Sequence, residues 1–316
     1  MISVIIPAYR PSSRELRAVF QSLLRQSAFA LISEILFIDN NSPSGTYTEV
    51  TFSGLPGFQF IVEKTPGLTP NRLRGFREAS SAAKWVLLVD QDNVLAADYM
   101  EQAMREVTAH PFLGALGGGI IPEYEREAPP FAARAPSILS LRDVRKASWS
   151  NDPAHDGSTP WGAGMMIRKE VADAYVEKVR RDTRRAFLDH RGQDLLYGAD
   201  NDIANTACEL GYGKGVFPAL RLTHLIPETR CTWSYFSRSI EGRTLSGHVK
   251  EFLETGRTPA RLRAMDAIRL MRCLVSRDPY VRLSARARYR GRQRALALLR
   301  GGRGLEVMPR SGMEGE

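Results

Sequence analysis

Two carboxylates close a nearly all-apolar run in this chain, where Trp85-Val86-Leu87-Leu88-Val89 leads directly into Asp90-Gln91-Asp92. Such a run reads as a strand buried on both faces, and open α/β sheets hold their ligands at the C-terminal ends of such strands. Asp side chains at i and i+2 bring hard oxygens to one spot, which suits Mg²⁺ or Mn²⁺ carrying a substrate diphosphate. An Asx turn that merely ends the strand uses the same residues.

Positioning that pair requires a sheet. Residues 3–7, 34–39, 58–63 and 84–90 are rich in Ile, Val, Leu and Phe and are separated by connections long enough for parallel pairing. Between the first two, residues 14–26 place Leu16, Val19, Phe20, Leu23 and Leu24 at helical spacing, a face to lie on the sheet. Residues 71–83 and 97–109 are further expected helices, and 113–121 a further strand. The stretch 122–160 is rich in Pro, Arg, Ser and Asp and reads as a long loop near a site. Beyond it the pattern predicts a strand over 161–167, a helix over 168–185, a helix over 200–210 ended by Gly211, a strand over 216–223 and several helical pieces from Thr232 onward. The sequence contains neither a GxxxxGK[ST] loop nor a GxGxxG after a strand, so P-loop and dinucleotide-binding readings lack their phosphate cradles.

With 316 residues the chain has room for one large α/β domain and a smaller appendage. It opens on an apolar strand without the layout of a secretory signal, and no apolar stretch is long enough to span a bilayer. A cytoplasmic location is expected, with peripheral contact on the inner face of the plasma membrane as an option. Cys208, Cys231 and Cys273 are odd in number and widely spaced, which suggests reduced thiols and no metal or redox motif. The net charge of +9 is uneven: residues 257–303 hold fourteen Arg, two Asp and no Lys or Glu, a net +12 that leaves the rest at −3. Basicity therefore belongs to a C-terminal segment, and no nucleic-acid partner is expected.

In order along the chain stand Ser3-Val4-Ile5-Ile6-Pro7-Ala8-Tyr9, Phe37-Ile38-Asp39-Asn40-Asn41-Ser42, Gly67-Leu68-Thr69-Pro70-Asn71-Arg72-Leu73-Arg74-Gly75 and Asp90-Gln91-Asp92. Each is weak alone, but their ordered combination resembles glycosyltransferase family 2. The resemblance covers residues 3–230 and implies the GT-A fold, a Rossmann-like, mostly parallel sheet flanked by helices, here with a C-terminal helical extension. The domain expectation is a GT-A domain over 1–230, with a nucleotide-sugar half to about 120 and an acceptor half after it. A basic helical region over 231–303 and a disordered tail over 304–316 would follow.

That resemblance also implies roles. Pro7, Ala8 and Tyr9 would line the nucleotide pocket, and Asp39 would accept a hydrogen bond from the base. A carboxylate is acceptor-only and can read an imide N–H such as uracil N3, although a turn residue before Asn40 and Asn41 explains Asp39 equally well. Many relatives have a second Asp at the position of Asn40. Arg72, at a helix start, and Gln91 would face the donor phosphates and sugar. Asp92 would be the direct metal ligand, with Asp90 on the sugar or ribose side. His224 would be a second contact to the Mn²⁺ or Mg²⁺, and Arg230 would neutralise the leaving diphosphate. Trp161, Gly162 and Gly164 would wall the sugar; core packing is the plainer use of the same residues.

Gly198-Ala199-Asp200-Asn201-Asp202, followed by Ala207-Cys208-Glu209-Leu210-Gly211-Tyr212, resembles the segment in which the Asp of a Glu-Asp pair is the catalytic base. Asp200 takes that role here, with Asp202 as rival on the acceptor side and Ala199 in place of the Glu. The expected reaction is inverting transfer from a nucleotide-diphospho-sugar, with UDP preferred, to a glycan or lipid-linked acceptor in surface-glycan assembly. Two other readings share these residues: a degenerate domain that binds nucleotide sugar or tethers partners, and a sugar nucleotidyltransferase. The latter would want glycine in Pro7-Ala8-Tyr9-Arg10-Pro11, which has none. The basic segment spaces Leu262, Met265, Ile268, Leu270, Met271, Leu274 and Val275 for an amphipathic helix, suited to anionic lipid or to packing on the domain.

Overall fold

The computed structural model describes residues 1–44, 46–47, 55–189, 195–259 and 264–300, with side chains from 267 in the last segment. The chain forms two compact units. The first holds Met1–Glu125, Ser140–Lys178 and Asp200–Ile226; the second holds Arg126–Leu139, Val179–Ala199 and the chain from Pro227 onward.

Among the described residues the first unit is built on a nine-stranded sheet. Strands β1 (Ile2–Ala8), β2 (Ile32–Asp39), β3 (Phe58–Val62) and β4 (Trp85–Leu88) pair in parallel in the order β3-β2-β1-β4. Every residue of β1 and of β4 is buried, as expected where helices cover both faces. Helix α1 (Ser13–Leu24) starts in a capping box of Ser12 and Glu15 and buries Leu16, Val19, Phe20 and Leu23. Helix α2 (Leu68–Glu78) follows Gly67, and no side chain caps its first turn.

The sheet continues through β8 (Met166–Arg168), antiparallel to both β4 and β6 (Leu113–Tyr124), and β6 runs parallel to β9 (Gly213–Ile226). Two short strands, β5 (Asn93–Leu95) and β7 (Ser148–Ser150), add antiparallel to β9. Helices α3 (Tyr99–Ala109), α4 (Lys169–Arg181) and α5 (Ala199–Glu209) follow β5, β8 and the loop 195–198.

The structure departs from two expectations. Of the predicted 161–167 strand only Met166 and Ile167 pair, in a strand that runs on to Arg168, because Gly164 has φ +73° and bends the chain out of extended geometry before it. The stretch 122–160 is not loop throughout, since Ser148–Ser150 pairs with Lys214–Val216.

In the second unit α6 (Trp233–Thr255) and α8 (Pro279–Arg300) pack through Leu245, Val249, Ala295 and Leu299, joined by Leu188 and Leu196. Glu241 of α6 holds Arg290 at 2.8 Å and Arg294 at 3.2 Å. Helix α7 (Ala264–Leu274) leaves Ile268 and Met271 exposed; Leu262 and the side chain of Met265 lie outside the described residues. Among the described residues no helix is long and apolar enough to cross a membrane. The expected tail over 304–316 lies outside them as well.

Candidate functional site

The C-terminal ends of β1, β2 and β4 bring the N-terminal motifs together. Ala8 is paired with Asp39 across the β1–β2 register, and Pro7 with Ile38. The buried Asp39 carboxylate accepts from Ser42 N at 2.9 Å and from the Tyr47 hydroxyl. Burial and then that bond to Asp39 push the Tyr47 phenol well above its ordinary pKa, so it stays a donor. Tyr47 is held by ring contacts to Phe37 at 5.5 Å and Phe60 at 5.3 Å. No spacing rule flags it, because its partner lies across an irregular loop.

Asn40 uses both halves of its amide. Its Nδ2 donates to the carbonyls of Glu63 at 3.1 Å and Thr65 at 2.7 Å, while Oδ1 accepts from Gly67 N at 2.8 Å. It thereby fixes the loop that delivers the start of α2. A carboxylate could accept from Gly67 but could not donate to the two carbonyls. Asn40→Asp is expected to cost about 1–3 kcal/mol, read as a fall in Tm, and the measurement is thermal unfolding of the two proteins side by side.

Residues 90–93 form a tight turn, with Asn93 N donating to Asp90 O at 3.0 Å, and the two carboxylates diverge from it. Asp90 meets Arg72 of α2, whose Nη2 lies 3.4 Å from Asp90 Oδ1 and whose side chain is 4% exposed. Arg72 is therefore not a solvated helix arginine. Its guanidinium occupies the space a side chain would fill at Gly162, where a Cβ would fall 2.4 Å from Nη2. Gln91 Oε1 accepts from Tyr9 N at 2.7 Å, tying the β4 end to the β1 end, and leaves the Tyr9 side chain half exposed under Arg10.

Asp92 turns the other way, onto β9. Strand β5 pairs Asn93 with His224, and Leu225 N donates to Asp92 O at 2.9 Å. This register sets His224 Nε2 3.3 Å from Asp92 Oδ2, both side chains almost fully buried, and Asn93 Nδ2 donates to Asp92 Oδ1 at 3.1 Å. A carboxylate oxygen and an imidazole nitrogen thus stand side by side, a donor pair that could serve a divalent cation. Among the described residues no group of three His, Cys, Asp or Glu side chains converges.

The loop 161–165 joins these groups to α5. Asp200 Oδ2 accepts from Gly162 N at 3.1 Å, the residue that rests against Arg72. Asp202 is committed elsewhere, to Lys178 Nζ at 2.8 Å in a largely buried pair. Trp161 lies under the Arg142 guanidinium at 5.1 Å, which is itself fixed by the carbonyls of Gly157 and Thr159. Burial lowers the Arg142 pKa from its ordinary value. Gly164 donates no side chain because Tyr99 and Leu222 fill that space, and the Tyr99 hydroxyl donates to Gly164 O at 2.6 Å. Arg230 closes a 3₁₀ turn, Glu228–Arg230, in the second unit. The structure thus links Asp200, Gly162, Arg72 and Asp90 in one path within the first unit, and Asp92 with His224 beside it.

Comparison with known proteins identifies the family. Residues 3–175, more than half of the chain, match the family model described as glycosyl transferase family 2. Among solved structures, TarS residues 1–349 from S. aureus align with a TM-score of 0.48 and 12% identity over 95% of this chain and 91% of that one. GalNAc-T7, solved with UDP, GalNAc and Mn²⁺, aligns with a TM-score of 0.50 and 14% identity over 81% of this chain and 51% of that one. No curated protein sequence matches the chain. The family match, on a sheet of GT-A type, makes this chain a glycosyltransferase that belongs to glycosyl transferase family 2.

Proposed function

We propose that the chain transfers a sugar from a nucleotide-diphospho-sugar, UDP-linked by preference, to a glycan or lipid-linked hydroxyl in a single displacement with inversion. The observation that carries this reading is the path from Asp200 through Gly162 N and the Arg72 guanidinium to Asp90. It supports a base, a cation and the strand-end carboxylates acting on one substrate. In this reading Pro7, Ala8 and Tyr9 flank the nucleotide, and Asp39, oriented by Ser42 and Tyr47, keeps lone pairs for a base imide. Arg72 and the start of α2, which lacks a side-chain cap, face the diphosphate.

Asp200 takes the acceptor proton as the oxygen attacks the anomeric carbon. Its bond from Gly162 N leaves one carboxylate oxygen for that task. Asp92 and His224 would hold Mn²⁺ or Mg²⁺, which when bound offsets the charge gathering on the departing diphosphate. Trp161 offers an aromatic face to the sugar.

The test is thermal unfolding with UDP, dTDP, GDP and ADP, each with and without Mn²⁺. A ligand that binds only the native state at about a hundred times its Kd adds about 2.7 kcal/mol of stability. The expected result is a rise in Tm with UDP that is larger with Mn²⁺. GalNAc-T7 was solved with these two ligands, which makes them the first to try. No rise with any nucleotide would sink the reading.

A further inference from the structure

The second unit contains a cleft of about 370 Å³ lined by Trp233 and Ser237 of α6 and by Arg282, Leu283, Arg286 and Arg290 of α8. Its three arginines stand at i, i+4 and i+8, so they share one face of the helix. Among the described residues no acidic side chain lines it. The three cations are not equivalent. Arg290 is balanced by Glu241 at 2.8 Å and also donates to Ser237 Oγ at 2.7 Å. Arg282 donates to the carbonyls of Ser276 at 2.5 Å and Arg277 at 2.9 Å, contacts that fix its direction without neutralising it. Arg286 is exposed, with no ion pair among the described residues. Two positive charges therefore remain at the cleft.

Trp233 supplies a second kind of surface. Phe131 stacks on it with ring centroids 3.9 Å apart and planes at 24°, which holds the indole in place, and the side chain stays 39% exposed. Guanidiniums bind phosphate oxygens, and an aromatic face suits the C–H surface of a sugar ring. The two side by side in a concave recess favour one discrete ligand over a planar bilayer.

We propose that this cleft binds a phosphorylated sugar, a phosphate-bearing segment of the acceptor glycan. The proposal rests on the glycosyl-transfer reading and names its acceptor class. Arg282 and Arg286 take the phosphate, Trp233 packs on the sugar, and Arg290 shapes the wall.

The experiment uses the full chain with UDP and Mn²⁺ present throughout, titrated with glucose 1-phosphate, glucose and inorganic phosphate, and monitored by tryptophan fluorescence. Glucose 1-phosphate is expected to bind at least tenfold more tightly than glucose or phosphate alone. Arg286→Glu should weaken it at least tenfold, and Trp233→Phe, which can still stack on Phe131, should remove most of the signal. The rise in Tm with UDP and Mn²⁺ should be the same in both variants, so failure at the cleft and failure of the donor reading are separate results. Binding of glucose 1-phosphate that Arg286→Glu leaves unchanged would overturn the proposal. So would an absence of glucose 1-phosphate binding, and Arg286-dependent sedimentation with phosphatidylglycerol vesicles would then give the cleft to lipid.

Discussion

Asp200→Asn is expected to lower kcat by about 10²–10⁴-fold, the usual worth of a positioned general base, while leaving Tm and nucleotide binding nearly unchanged. The substitution keeps an oxygen that can accept from Gly162 N, so the local hydrogen bond survives and only basicity is lost. The rival Asp202 should behave in the opposite way. It lies on the same helical turn but is paired with Lys178 at 2.8 Å, with side-chain exposures of 9% and 15%. Asp202→Asn weakens that pair and should cost about 1–3 kcal/mol, moderated because Lys178 retains Glu209 at 2.6 Å. Activity per folded molecule should then be close to that of the parent. Measuring kcat and Tm for both variants gives a crossed pattern if Asp200 is the base. A large loss of kcat in Asp202→Asn with little loss in Asp200→Asn would reverse the assignment.

That contrast shows where sequence reading stops. Two Asp residues at i and i+2 on a helix start are alike in type and spacing, and only the position of Lys178, 24 residues before, separates them. The apolar run before Asp90 and the helical spacing from Leu16 to Leu23 were legible because burial writes a period into the sequence. Strand β5 was not. Three residues carry no period, and Asn93–Leu95 is a strand only because β9 lies beside it. Yet that strand sets Asp92 against His224, which lies 132 residues further on. Asn40 was visible only as a departure from the second Asp of many relatives, while its two donated bonds are a tertiary fact. The second unit gathers Arg126–Leu139 and Val179–Ala199 with the C-terminal helices, a noncontiguous set that composition alone does not mark. Ala199 is buried at 1% exposure, which its residue type alone does not decide.

Asp92→Asn carries the second large effect. The variant is expected to lose the Mn²⁺-dependent part of the UDP-induced rise in Tm and to lower kcat/KM by about 10²–10³-fold, the scale for removing one charge-stabilising group. The effect is electrostatic. Asn is nearly isosteric, its Oδ1 can still accept from Asn93 Nδ2, and the backbone bond from Leu225 N to Asp92 O is untouched, so the β5–β9 register should hold. What changes is the charge beside His224. A neutral amide is a poor ligand for a hard divalent cation, and an imidazole alone does not select Mn²⁺ or Mg²⁺. UDP should still bind through Asp39 and Arg72 in the proposed reading, so the small metal-free shift in Tm should persist. Titrating Mn²⁺ into both proteins at fixed UDP separates these terms. Retention of the full Mn²⁺-dependent shift in Asp92→Asn would remove Asp92 from the metal site and leave its bond to His224 as a strand-locking contact.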